Sequence, residues 1–361
     1  MRELTKQSLY DIINGCAIAS TGGGGTLSEG LALIDRAIAE GGVFKLVSLD
    51  ELSDDALIGV PYFCGALTQQ EENPLAKYPE LPQPLGVLAA QSMERYLKRE
   101  FDAFMSTELG GTNTAQAFYT AASMGRSIVD ADPAGRSVPE LQHSTFFLHD
   151  IPIAPMSIAD AYGNSAIFDK VANDERAEHW ARALAVASNN TVGVLDHPAS
   201  AADIRGAVIE GAITYAEKLG AALREAKASS SDAAGAVIEA GEGKLLFMGS
   251  VTSADFEDRD GFTYGTIILS GLGEYSEHEY KVWYKNENII SWLDGEIHVT
   301  VPDLICMLDD AGEQQINPFV RLGQKFTVFA LPAPKQWVTE RGLSCFGPRS
   351  FGFDVDYKPI V

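Results

Sequence analysis

The chain has 361 residues, 46% of them hydrophobic and 21% charged, with 50 acidic against 27 basic residues and a net charge of −23. That length admits two domains with real apolar cores, whereas so acidic a composition excludes a phosphate-reading nucleic-acid face and a polybasic membrane attachment. No apolar run reaches bilayer length, the stretch from Met1 to Gln7 lacks the apolar segment of a secretion signal, and Cys16, Cys64, Cys306 and Cys345 show no CxxC spacing, which points to reduced thiols in a cytoplasm.

In chain order, Leu9, Ile12, Ile13 and Cys16 recur at helical spacing within residues 4–19, and that helix ends at Ser20-Thr21-Gly22-Gly23-Gly24-Gly25. Thr26 with Glu29 reads as a capping box for a second helix running to about Ala39. Residues 43–48 alternate like a strand, and 56–64 form the near-continuous apolar run of a buried parallel strand. A loop rich in Pro and acids, Gln69 to Pro84, leads into a helix over 85–99. A strand over 101–106, a helix over 113–123 capped by Thr112, and a strand over 127–129 follow. This alternation predicts a three-layer α/β domain with a mainly parallel sheet over residues 1–166.

Residues 167–361 read as two helices, 174–188 and 201–226, and then a β-rich domain. From Lys244 on, short runs rich in β-branched and aromatic residues, such as 263–270, 277–284 and 325–331, are separated by Gly, Asn or Asp turns. They predict an antiparallel sandwich or barrel.

Polar chemistry is densest from Glu108 to His143. Glu108 and Asn113 flank Gly110-Gly111, whose bare backbone lets a ligand approach the amides. Asp130 and Asp132 lie two apart at a strand end, an arrangement that can aim both carboxylates at one divalent cation, with His143 completing the set. The bland reading makes them loop acids that pair with Arg136 and cap a helix. Glu140 and His143 are one helical turn apart. The glycine run opens a helix N-terminus that could cradle an anion, but it has no P-loop Lys and follows a helix rather than a strand, which argues against a nucleotide. Close backbone packing explains it equally well. Cys64 has no base beside it in sequence, and the remaining histidines, His197 among them, show no ligand spacing and read as surface or satisfied core residues.

The strings Thr21-Gly-Gly-Gly-Gly25, Glu108-x-Gly-Gly-x-Asn113 and Asp130-x-Asp132-x-x-Gly135-Arg136-x-x-Pro139-Glu140 resemble the N-terminal half of the S-methyl thiohydantoin desulfurase-like family, whose members often carry the name hydantoin-utilisation protein. Val301-Pro302-Asp303-Leu304-Ile305-Cys306 and Gly347-Pro348-x-x-Phe351-Gly352-x-Asp354 resemble its C-terminal half. Two runs depart from the pattern: Ala19-Ser20 stands where the family has Leu-Gly, and Cys64 to Thr68 where it has Met-Gly-Ala-Pro-Thr. The resemblance implies an α/β plus β architecture and, for some members, metal-dependent removal of a sulfur substituent from a hydantoin-type ring.

Residues and resemblance together give the expectation of a metal-assisted hydrolase on a cyclic imide or thioimidate. Asp130, Asp132 and His143 would hold a divalent ion that acidifies its water. Arg136 would bind a carboxylate or developing charge, and Glu108 or Glu140 would move the proton. Asn113, Gly110, Gly111 and Thr112, with Gly23 and Gly24, would position the ring. The rival expectation is a non-catalytic accessory subunit with an apolar patch on its β half. The partner in the first case is a small molecule, and self-association is left open.

Overall fold

A computed structural model describes residues 1–65, 73, 75–259 and 261–360. The expected loop over 69–84 and the run over 64–68 therefore fall partly outside the described residues.

The first half runs β1 (Arg2–Glu3), α1 (Lys6–Ala19), α2 (Leu27–Ala39), β2 (Lys45–Val47), β3 (Leu57–Gly65), α3 (Leu85–Leu97), β4 (Ala103–Phe104), α4 (Gly111–Ser123), β5 (Ser127–Val129) and β6 (Ala131–Asp132). It continues with α5 (Thr145–Leu148), β7 (Met156–Ala159), β8 (Ser165–Phe168), α6 (Asp174–Ala187), β9 (Thr191–Ser200), α7 (Ala201–Ile204), β10 (Ile209–Glu210), α8 (Ala212–Ser229) and α9 (Ala233–Ala240). Eight strands form one sheet in the order β1-β2-β5-β4-β3-β9-β7-β8. β2, β5, β4 and β3 run parallel, and β9 turns the sheet antiparallel.

Pleat alternation builds the layers. Leu46, Phe104 and Ile128 face a core shared with α1 to α4 and α8. Their neighbours Val47, Ala103 and Val129 face a second core with Phe146, Ala201 and Ile204. α6 covers the far end through Ala177, Ala181 and Ala185. This is the expected α/β fold class, and its sheet takes in β9 beyond residue 166.

Two expectations change. Val192 to Leu195 belong to β9, a strand inside the sheet that the sequence reading passed over. The single helix expected over 201–226 breaks into α7 and α8, because Gly206 and Gly211 take left-handed φ of 80° and 77°. α8 then lies against α1 at glycines: a Cβ on Gly15 would strike the Ala216 carbonyl, and one on Gly220 the Asp11 carbonyl. Arg224 Nε seals the crossing on Asp11 Oδ1 at 2.9 Å.

The second half is antiparallel: β11 (Lys244–Arg259), β12 (Phe262–Gly271), β13 (Glu279–Lys285), β14 (Glu287–Leu293), β15 (Glu296–Thr300), β16 (Leu304–Asp309) and β17 (Lys325–Leu331), followed by α10 (Glu340–Phe346). Its seven strands are ordered β15-β14-β13-β12-β11-β17-β16 around a separate core that includes Phe247, Tyr280 and Phe326. All four cysteines are free thiols. Among the described residues no helix is long and apolar enough to cross a membrane.

Candidate functional site

A cavity of about 950 Å³ opens where the end of β3 and the loops after β4 and β6 meet β14 and the β11–β12 hairpin. The glycine run forms one wall. Its backbone docks on the β domain, with Asn288 N donating to Thr21 O and Asn317 N to Gly22 O, both at 2.9 Å. The space that a Gly23 side chain would fill is taken by Glu287 Oε1, and that of Gly24 by Ser137 and Gly110. Close packing therefore accounts for the run, while Gly23 and Gly24 also border the cavity. Thr26 caps α2 by accepting from Glu29 N at 3.2 Å, but the Glu29 carboxylate takes the Thr26 hydroxyl instead of closing a capping box.

Glu108 lines the cavity. Its backbone is left-handed, φ 51°, a conformation that a non-glycine residue holds at a cost of order 1 kcal/mol or more and that gathers at functional sites. Oε2 accepts from Val138 N at 3.0 Å and Oε1 from Asn113 Nδ2. Asn113 Oδ1 in turn accepts from Phe63 N at 3.3 Å. The helix cap here is Gly110, not Thr112, with the Gly110 amide donating to Thr114 Oγ1 at 3.1 Å, and the Asn113 side chain in the first turn serves Glu108. Gly110 and Gly111 lie behind the wall, against Gly24 and Thr26, whereas Thr112 borders the cavity. Burial pushes the Glu108 carboxyl up to about 7, against the pull of the Val138 and Asn113 N–H groups.

Glu287, at the start of β14, shares the cavity. Burial first, and the Glu108 charge second, hold its carboxyl far above the ordinary range. Its Oε2 has no hydrogen-bond partner among the described residues. Two ion pairs border the same space, Glu140–Lys285 and Glu178–Arg182, the latter with Nε–Oε1 at 2.6 Å. Tyr62, Asp196 and His197 also line it: the Tyr62 hydroxyl donates to Asp196 Oδ2 at 2.7 Å, and His197 Nδ1 lies 2.8 Å from Asp196 Oδ1. Burial opposes charge on His197, yet Asp196 and Asp174 raise it to about 9. Cys64 borders the cavity as a buried thiol pushed up to about 12, protonated and so a poor nucleophile.

The residues expected to hold a metal are dispersed. The Asp130 carboxylate caps α8, accepting from Thr214 N at 2.9 Å and from its hydroxyl. Asp132 faces inward as the anchor of a tight turn, its Oδ1 accepting from Ala134 N and Gly135 N at 2.7 and 2.6 Å. Val129 ends β5, so the period-2 geometry that would have aligned the two acids is broken between them. His143 lies elsewhere, between the Phe346 and Phe351 rings at 5.0 and 5.4 Å. Among the described residues no group of three or more His, Cys, Asp or Glu has the arrangement of a metal site. The expected trio therefore does not fit a divalent ion.

Arg136 also departs from its expected role. All five guanidinium N–H groups are spent inside the protein, on Ser137 O, Pro302 O, Asp303 O, Asn288 O and Thr21 Oγ1, so it ties the domains together and does not line the cavity. Sequence reasoning overlooked Glu287, Arg182 and the Asp196-His197 pair. Lys285-Asn286-Glu287 looked like a hairpin turn, and only the polar pair closing the apolar run Val192–Leu195 offered a signal for His197.

The model described as S-Me-THD-like, N-terminal domain, matches residues 7–170, and that of the S-Me-THD-like C-terminal domain matches 172–360. A crystal structure of a protein from Chromobacterium violaceum aligns over 100% of both chains with a TM-score of 0.79 at 23% sequence identity, a likeness of fold. No curated protein gives a significant match. With both halves matched end to end, the chain belongs to the S-Me-THD-like family.

Proposed function

We propose that the cavity hydrolyses a small five-membered ring of the hydantoin type at an S-alkylated C=N carbon, releasing a thiol, with Glu108 as base and Glu287 as acid. The observation that carries this reading is the pair of raised carboxyls in one cavity, Glu108 raised by burial and Glu287 by burial and then by the Glu108 charge. Two such groups cannot both ionise cheaply, so one holds a proton near neutral pH while the other gives its up. Glu108, fixed by two N–H donors that favour its charged form, is the ionised partner; Glu287, whose Oε2 has no donor, keeps the proton.

The steps balance without an added reagent. Water attacks the ring carbon as Glu108 takes one of its protons, and the C=N electrons pass to nitrogen, which takes the Glu287 proton. The tetrahedral adduct then collapses to C=O. The C–S bond breaks, the sulfur leaves with the proton held by Glu108, and the hydroxyl proton returns to Glu287. General acid–base assistance of this kind contributes about 10²–10⁴-fold.

The test is thiol release from a 2-(methylsulfanyl)imidazol-4-one by wild-type protein and by Glu108→Gln of equal foldedness. Wild type should turn over, and the variant should be slower by about 10² or more. A wild-type protein that releases no thiol would instead favour the accessory-subunit reading.

A further inference from the structure

His143 is a histidine of the cavity for which no hydrogen-bond partner of either ring nitrogen occurs among the described residues. It is 4% exposed and borders the cavity, and Nδ1 is sealed from solvent without a hydrogen bond among the described residues. Nε2 likewise has no hydrogen-bond partner among the described residues and, unlike Nδ1, is not among the atoms sealed from solvent, so it is the ring nitrogen open to a ligand. Phe346 and Phe351 fix the ring plane with tilted contacts, and the His143 amide is held on Glu140 O at 3.0 Å. His197 differs in its charge partners: its Nδ1 is bonded to Asp196, and its Nε2, though without a hydrogen bond, lies 3.6 Å from the Asp174 carboxylate.

A buried polar group left unpartnered in a folded protein calls for a ligand or a role. Burial pushes His143 down to about 4, with Glu140 pulling the other way and Lys285 and Arg136 adding to the fall, so the ring is a neutral imidazole. An orphaned buried N–H is rarer than an orphaned buried acceptor. The lone pair therefore belongs on Nδ1 and the proton on Nε2, facing the cavity.

Resting on the ring-hydrolysis reading, we propose that His143 is a specificity residue: a neutral N–H donor that grips the ring carbonyl which the substrate retains. Two consequences follow. The site selects rings that carry a carbonyl beside the reacting carbon's nitrogen, and it discriminates against the same ring without that oxygen. A neutral donor polarises a carbonyl without bringing a full charge next to Lys285.

The test uses calorimetric binding of hydantoin, which keeps that carbonyl, and of imidazolidin-2-one, which lacks it. Wild type should prefer hydantoin by about tenfold or more, since sites built to bond a polar group reject its absence strongly. His143→Phe should lose that preference while melting no lower than wild type, and His143→Gln, which restores an N–H, should recover part of it. A ¹⁵N spectrum should place the His143 proton on Nε2 and shift when hydantoin is added. If hydantoin binds wild type but His143→Phe keeps the preference, or the His143 signals do not move, the inference falls and the ring reading stands. If folded wild type binds no hydantoin, the ring reading itself falls and takes this inference with it.

Discussion

At the residue scale, burial decides what each carboxylate does. Asp132 and Glu108 both sit where burial raises them to about 7, yet only Glu108 borders the cavity. Asp132 is a fold residue with a pH cost. Below its unfolded value of about 4 both states are protonated and the penalty is absent. As pH rises toward 7 the unfolded chain ionises while the folded carboxyl stays neutral, so stability is lost across that window. Asp132→Asn keeps an oxygen for the Ala134 and Gly135 amides and cannot ionise. It should be more stable than wild type at pH 7 by on the order of 1 kcal/mol or more, the gap closing near pH 4. Chemical denaturation at both pH values checks this; a variant less stable at both would restore a structural role for the charge. The adjacency of Asp130 and Asp132 in sequence was legible, but their divergence was not. It comes from the β6–β10 pairing, Ile209 with Asp132 and Glu210 with Ala131, which only the tertiary fold creates.

At the element scale, the glycine run and β14 are built for each other. Gly23 is bare because Glu287 occupies the space of its side chain. Gly23→Ala should cost about 1–3 kcal/mol by overpacking. In a Glu287→Ala background, where the carboxyl is gone, the same change should cost little, so the double-mutant cycle of melting curves reads the contact directly. Equal costs in both backgrounds would show that the glycine answers to backbone alone. Long periodic elements such as α1, α4 and the strands of the β domain were readable from pattern. β9 was not, although Ser188-Asn189-Asn190 marks a turn just before it, both asparagines taking left-handed φ, because its apolar run is short and ends in Asp196-His197. The split of the expected 201–226 helix was written only in Gly206 and Gly211.

At the scale of the whole molecule, the cavity opens along a seam where α1, α8 and α9 share an apolar core with Leu304, Cys306, Leu308, Phe329 and Leu331 of β16 and β17. Arg136 is the bolt: a fully buried guanidinium reaching four backbone carbonyls and the Thr21 hydroxyl, over the Phe346 ring at 5.1 Å. Arg136→Met would strand those carbonyls and should cost about 3 kcal/mol or more. Thermal unfolding of the variant checks it, and a loss under 1 kcal/mol would mean that the seam holds without the bolt. The two-domain plan and the family were legible in motifs scattered along the chain. The partnership of Glu108 and Glu287 was not, since it joins residues far apart in sequence through a domain interface.

The measurement that bears most directly on the catalytic assignment is the pH dependence of kcat/KM for thiol release. With Glu108 as the ionised base and Glu287 as the protonated acid, the rate should rise through about pH 7 and fall again at higher pH, where Glu287 loses its proton. Asn113→Leu removes a donor that favours the Glu108 carboxylate, so it should move that limb upward by on the order of one pH unit. A rate flat from pH 5 to 9, or an acid limb left in place by Asn113→Leu, would contradict the assignment of Glu108 as the base.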